Sequence, residues 1–333
     1  MPIIDAHIHY GDDAPELLAL LAEFDIRLHN INVAQKSHGG WRVDADRYCS
    51  LAQQNPQRYA WCTSFDLPTV GDPTFDGSQY IDDVLAGLEQ DFANGAVACK
   101  VWKNIGMEVR YPDGLFFHVD DPLLSPIFAW LAEQSYPLLT HIAEPLDCWL
   151  PLREGSPHYG YYSRNPEWHM YTRPDYPSHG ELMAARDRVL AQHPSLRLIG
   201  AHLASLEYDV DVLAATLDRY PNLAVDTSAR LFDLVVQDSA KVRGFVEKYQ
   251  DRILFGTDVV MRTPPSSLPP EERAQAIASL RTVYTTHFAY FESKGIVTVR
   301  DREVQGLALS QGVLEKLYRT NAEQWYPRLG NVE

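Results

Sequence analysis

Cysteine is scarce in this chain. Cys49, Cys62, Cys99 and Cys148 are the four in 333 residues, and no pair has C-x-x-C spacing. In a chain of this size they read as reduced, buried residues. Basic residues are also few. Lys and Arg number 29 against 45 Asp and Glu, a net charge of −16. That balance argues against nucleic acid and anionic membrane as partners, and leaves the substrate's charge open. No apolar run is long enough to span a bilayer, and no positively charged segment with an apolar core opens the sequence. The expectation is a protein without a signal peptide, located in the cytoplasm. Internal repeats, low-complexity tracts and domain linkers are missing too. So is a G-x-G-x-x-G after the first apolar run, which counts against an open dinucleotide-binding sheet.

What is present is a rhythm. Hydrophobic residues make up 45% of the chain, enough for a large core. Short apolar runs at 2–8, 30–35, 59–65, 96–102, 137–143, 196–203, 223–227 and 253–258 read as strands. Amphipathic segments lie between them, such as SQYIDDVLAGLEQDFANG and HGELMAARDRVLAQHP. Asp, Ser or His stands near their starts, and Gly, Asn or Pro near their ends. Eight strands alternating with helices predict an α/β fold with a parallel sheet, and eight closes a (β/α)8 barrel spanning residues 1–333 as one domain. An open doubly wound sheet is the alternative. Residues 145–178, rich in Pro, Gly and aromatics, form an inserted loop after the fifth strand, and 262–271 a proline-stiffened loop after the eighth.

The opening MPIIDAHIHYGD places Asp5, His7 and His9 at alternate positions. On a regular strand they share one face, and two neutral imidazoles there can grip one ion. The other strand ends carry matching chemistry: Lys100 on the fourth, His141 and then Glu144 on the fifth, His202 on the sixth, Asp226 and then Arg230 on the seventh, Asp258 on the eighth. Burying so many ionisable groups together is costly unless something pairs with them, and a divalent cation is the natural partner.

The ordered motifs DAHIH, THIAEP, GAHLAS and ILFGTD, with a closing LEKLYRTNAEQWYP, resemble the amidohydrolase superfamily. The branch is that of aminocarboxymuconate-semialdehyde-decarboxylase-like "amidohydrolase 2" proteins. The resemblance implies a TIM barrel with a metal site at the C-terminal ends of the strands. The ion is usually zinc, with manganese or another divalent ion as the alternative. It implies His7, His9, His141 and Asp258 as ligands, and Asp258 and His202 as catalytic groups. A bound cation lowers the pKa of a coordinated water toward about 7, and Asp258 can take and return its proton.

Lys100 has three readings: a carbamylated bridge between two ions, a cation for a substrate carboxylate, or the partner of an acid such as Glu144. One ion is expected, two if Lys100 is carbamylated. Lys103 alternates to the other face of its strand and reads as structural. Trp102, Glu144, His169 and Arg230 are candidates for substrate contact. Arg230 reads equally as a surface salt bridge, and His169 with its aromatic neighbours as loop packing. His29, His38, His118, His158, His179, His193 and His287 carry no supporting pattern. The function expected is hydrolysis of a C–O or C–N bond in a small molecule (lactone, ester or amide). The same cage would serve a non-oxidative decarboxylase, and a non-catalytic binding protein is the third reading. The partner expected is a small-molecule substrate, with homodimerisation open.

Overall fold

A computed structural model of the chain describes residues 1–35 and 40–330, so His38 lies outside the described residues. Eight strands run β1 (Ile3–Ile8), β2 (Ile26–Ile31), β3 (Tyr59–Cys62), β4 (Cys99–Val101), β5 (Leu138–Thr140), β6 (Leu198–Gly200), β7 (Leu223–Asp226) and β8 (Ile253–Leu254). Parallel ladders join β1 to β2 to β3, and β4 through to β8. Backbone hydrogen bonds close the ring at both seams. Val97 N–H donates to Trp61 O and Lys100 N–H to Thr63 O, across a parallel Thr63–Cys99 bridge. Ala6 N–H donates to Phe255 O and Asp258 N–H to His7 O, joining the continuation of β8 to β1. Every strand therefore has a neighbour on each side, as a (β/α)8 barrel requires.

A helix follows each strand: Pro15–Phe24, Trp41–Gln54, Gly77–Ala93, Ser125–Glu133, His179–Gln192, Val210–Arg219, Ser239–Lys248 and Pro270–Glu292. Several start where the side-chain chemistry requires. The Asp76 carboxylate accepts from Ser78 and Gln79 N–H, Asp238 accepts from Lys241 N–H, and Ser178 forms a capping box with Glu181. Each such cap contributes about 1 kcal/mol.

The apolar residues divide into two layers. Inside the ring pack Ile4, Ala6, Ile31, Ala60, Cys62, Val97, Leu139, Ile199, Ala224 and Leu254. Many are small, which suits a narrow lumen. Trp325, Tyr326 and Leu329, from the C-terminal segment, belong to this inner cluster and form its floor. Trp325 Nε1–H donates to Asp251 O just before β8, and Arg27 near the start of β2 donates to Leu329 O. The floor therefore lies at the N-terminal ends of the strands.

Three expectations need correction. The second strand is Ile26–Ile31, not 30–35. Arg27, His29 and Asn30 hide it from an apolar reading, yet His29 Nδ1 bonds Ala6 O (3.1 Å) and the Asn30 side chain accepts from Tyr10 N–H (2.7 Å). The later strands are shorter than their apolar runs because the chain leaves the ladder to carry polar residues over the rim. The segment after the eighth strand is more than a loop. It holds a single turn at Pro265–Ser267 and the 23-residue helix Pro270–Glu292, followed by a hairpin of β9 (Ile296–Val299) and β10 (Arg302–Gln305).

Candidate metal centre

The first strand contains a bulge. Asp5 pairs with Leu28 and Ile8 with Asn30, so three steps on β1 match two on β2. The extra residue changes which way the side chains point. Asp5 faces outward, where Thr257 and Tyr284 donate hydroxyl hydrogen bonds to it (2.6 and 2.9 Å). It does not share a face with the imidazoles, as a regular strand would predict. His7 instead turns to the lumen beside His202, with ring centroids 4.9 Å apart.

Asp226, at the end of β7, organises the site, and the sequence reading gave it no role. It is fully buried. Its Oδ2 lies 2.7 Å from His7 Nδ1, and its Oδ1 accepts from the His202 backbone N–H (2.8 Å) and from the Ser228 hydroxyl. Burial alone would raise its pKa, but His7, His202 and Ser228 hold it well below the usual carboxylate range. An ionised Asp226 fixes the His7 tautomer with the proton on Nδ1, leaving a lone pair on Nε2. The signal available in the sequence was VDTS, a carboxylate ending an apolar strand two residues before a serine.

The Asp258 Oδ1 lies 3.3 Å from His9 Nε2 and 3.6 Å from His7 Nε2. Burial would raise its pKa as well, but His202, His9 and His7 keep it ionised. These three residues bring their donor atoms within 4.8 Å of one another. A second such set, His7, His202 and Asp226, is already occupied by the hydrogen bonds just described. His141 stands one ring away, 4.3 Å from His202 between centroids, and its buried Nε2 has no hydrogen-bond partner among the described residues. Burial pushes His141 and His202 well below the usual imidazole range, against the pull of Asp258 on His202. Neutral imidazoles, an ionised carboxylate and an orphaned buried nitrogen are the donor set a divalent cation takes. The residues present fit such an ion.

The backbone is strained where it presents these groups. His202, Leu203, Ala204 and Ser205 all have φ between 56° and 59°, and Asp258 has φ 57°. Left-handed non-glycine residues cost of order 1–3 kcal/mol each and cluster at functional sites. Gly200 permits the first turn: a Cβ there would stand 2.4 Å from the Ala204 Cβ. Gly256 permits close approach to His7, whose Cβ would be 3.0 Å away. His202 Nδ1 meets the Ser228 carbonyl at 3.0 Å, so its proton is on Nδ1 and Nε2 carries the lone pair.

Two cavities meet at this centre, and His141, His202 and Asp258 line both. One, about 650 Å³, includes Lys100 and Trp102. The other, about 620 Å³, includes Lys103, Glu144 and Arg230. The Lys100 ammonium, lowered to about 8 by burial, has no carboxylate within 4 Å among the described residues. Glu144 is not its partner. Glu144 pairs with Lys103, because β4 ends at Val101 and the chain turns Lys103 into the cavity instead of to the outer face. Tyr162 donates to the other Glu144 oxygen, and the Lys103 ammonium sits 3.8 Å over the Trp168 ring. Arg230 is buried, 3.9 Å from Glu207 and 4.0 Å from Asp233, so it is no surface salt bridge. His169 works inside the insertion: it bonds Leu150 O at 2.9 Å and packs on Tyr162. His158, given no role by the sequence, lines the cavity and pairs with Asp233 at 2.8 Å.

Among solved structures, the chain resembles an uncharacterised TIM-barrel protein from Bordetella bronchiseptica. The TM-score is 0.52 at 15% identity, over 99% of this chain and 100% of the other. It also resembles 4-oxalomesaconate hydratase from Rhodopseudomonas palustris, with a TM-score of 0.50 at 13% identity, over 98% and 96%. At these identities the likeness shows the barrel alone. No curated protein matches the sequence. Residues 4–328 match the model of the amidohydrolase family (Amidohydro_2), and the chain belongs to that family of metal-dependent hydrolases.

Proposed function

We propose that the protein hydrolyses a C–O or C–N bond of a small lactone, ester or amide at a single divalent ion, zinc by the chemistry of its donors. His7, His9, His141 and Asp258 would hold it. The observation that carries this reading is the convergence of Asp258 on His7 and His9, residues some 250 positions apart in the chain. When bound, the ion supplies a Lewis acid for the substrate carbonyl and acidifies water at neutral pH. The protein's own residues do the rest. Asp226 orients His7. Asp258, held ionised, takes a proton from the attacking water and returns it to the leaving group. His202 presents its Nε2 lone pair to the cavity and accepts a hydrogen bond there. Trp102 and Arg230 wall the two cavities on either side of the reacting bond.

Metal removal tests this. Dialysis against dipicolinate should abolish hydrolysis of a lactone and ester panel, and one equivalent of zinc should restore it. Activity that survives at a metal content near zero would refute the reading. Two equivalents bound tightly would instead point to Lys100 as a carbamate bridge. The lyase alternative draws on one observation, the Lys100 ammonium without a carboxylate partner beside the centre. Label from H218O in the product supports hydrolysis, and CO2 release from aromatic acids supports the lyase.

A further inference from the structure

The cavity that holds Lys103 and Arg230 has an outer wall which the reaction above does not use. It is the hairpin of β9 and β10, which places Arg300, Asp301 and Arg302 on the lining. We propose that this hairpin selects the substrate: Arg300 and Arg302 take an oxyanion, carboxylate or phosphate, carried by the substrate away from the bond that is cleaved. This rests on the hydrolase reading and names its substrate class.

Four observations lead there. First, the hairpin belongs to the same cavity as His141, His202 and Asp258, so a ligand can span from one to the other. Second, the buried cations of this cavity already have acidic neighbours, whereas Arg300 and Arg302 are exposed side chains on its lining. Lys103 pairs with Glu144, and Arg230 lies between Glu207 and Asp233. Arg300 and Arg302 have no carboxylate within 4 Å among the described residues, Asp301 between them included. That is notable in a chain with 45 acidic residues against 29 basic ones.

Third, both guanidiniums stack on one ring. Arg300 lies 4.4 Å and Arg302 5.7 Å from the Phe232 centroid. Stacking holds the guanidinium plane and leaves its N–H edge free, the edge that binds an oxyanion through two parallel hydrogen bonds. Fourth, Arg300 sits where the backbone favours another residue. Val299 pairs with Arg302, so the turn is two residues long, and Arg300 has φ 56°. Glycine or asparagine is the usual choice at such a position. An arginine that tolerates this strain is explained by what its side chain reaches.

The test uses the purified protein with defined probes. Calorimetric titration with glutarate, inorganic phosphate and neutral glutaramide should show binding of an anion and not of the amide. The tighter anion distinguishes a carboxylate from a phosphate site. The R300Q/R302Q double variant should bind that anion at least about tenfold more weakly, with metal content and Tm as in the parent. R300G should also weaken binding, while its Tm holds or rises as the turn relaxes.

The proposal is overturned if neither anion binds the parent, if the double variant binds equally well, or if R300G loses Tm with anion affinity intact. The last result would make Arg300 a packing residue on Phe232. The two readings fail separately. Metal-dependent hydrolysis of neutral lactones without arginine-dependent anion binding refutes the hairpin alone. Arginine-dependent anion binding by a protein without metal-dependent turnover refutes only the hydrolase reading.

Discussion

Asp226 accepts from four groups at once: the His7 ring, the His202 backbone, and the backbone N–H and hydroxyl of Ser228. Its charge, more than its shape, sets the His7 tautomer. Asp226→Asn keeps the shape and removes the charge, and it can offer an N–H where His7 also offers one. His7 then escapes the clash by moving its proton to Nε2, which removes the lone pair meant for the ion. Zinc affinity should fall roughly 10–100-fold, read by competition with a chromophoric chelator, with the far-UV circular dichroism unchanged. An unaltered affinity would show that Asp226 only anchors the His202 turn. His141→Ala tests the neighbouring position. It removes the unpartnered buried Nε2 and should lower metal content on its own, without loss of Tm beyond that of an ordinary cavity.

The helix Pro270–Glu292 offers a test at the level of an element. His287 is buried against Phe255, and its Nδ1 donates to Val283 O at 2.8 Å. Burial lowers its pKa to about 4, from about 6.5 in an unfolded chain. Between those values the unfolded state takes up a proton that the folded state refuses, so stability is complete above about pH 6.5 and falls as pH drops toward 4. The contribution of one such group is about 1.4 kcal/mol per pH unit across that window. Urea unfolding of His287→Leu should show a shallower acid slope than the parent, and an equal slope would place the acid sensitivity elsewhere. This helix also shows where sequence reading stopped. The eight strands announced themselves through short apolar runs, except β2, whose polar His29 and Asn30 find partners only once β1 lies beside it. The helix after β8 was hidden behind the proline-rich 262–271. The metal-side imidazoles and Asp258 were legible because each ends an apolar run. Lys103 was misread because strand alternation was carried two residues past the end of β4, and Asp226 because its ring partner His7 lies 219 positions away in the chain.

The whole molecule is a ring with a reactive rim and a sealed floor, and the two ends are built differently. The rim stores backbone strain, and the floor is apolar and close-packed around Trp325, which is 7% exposed. Trp325→Ala should cost about 3–5 kcal/mol, seen as a lower urea midpoint, while turnover per folded molecule stays near that of the parent. A large loss of turnover at unchanged stability would mean that the two ends communicate. The acidic surface and the arginine-bearing hairpin belong to this scale as well, because a field of net charge −16 repels anions except where local cations overcome it.

The surplus residue in β1 sets ladder regularity against chemistry. Losing a single codon among Ala6, His7 and Ile8 would restore an even pairing with β2, a locally better sheet. It would also break the spacing that turns the first imidazole toward the lumen. Such a deletant should express and fold, yet retain no zinc on gel filtration. A deletant that kept its zinc would show instead that the bulge is incidental to the site.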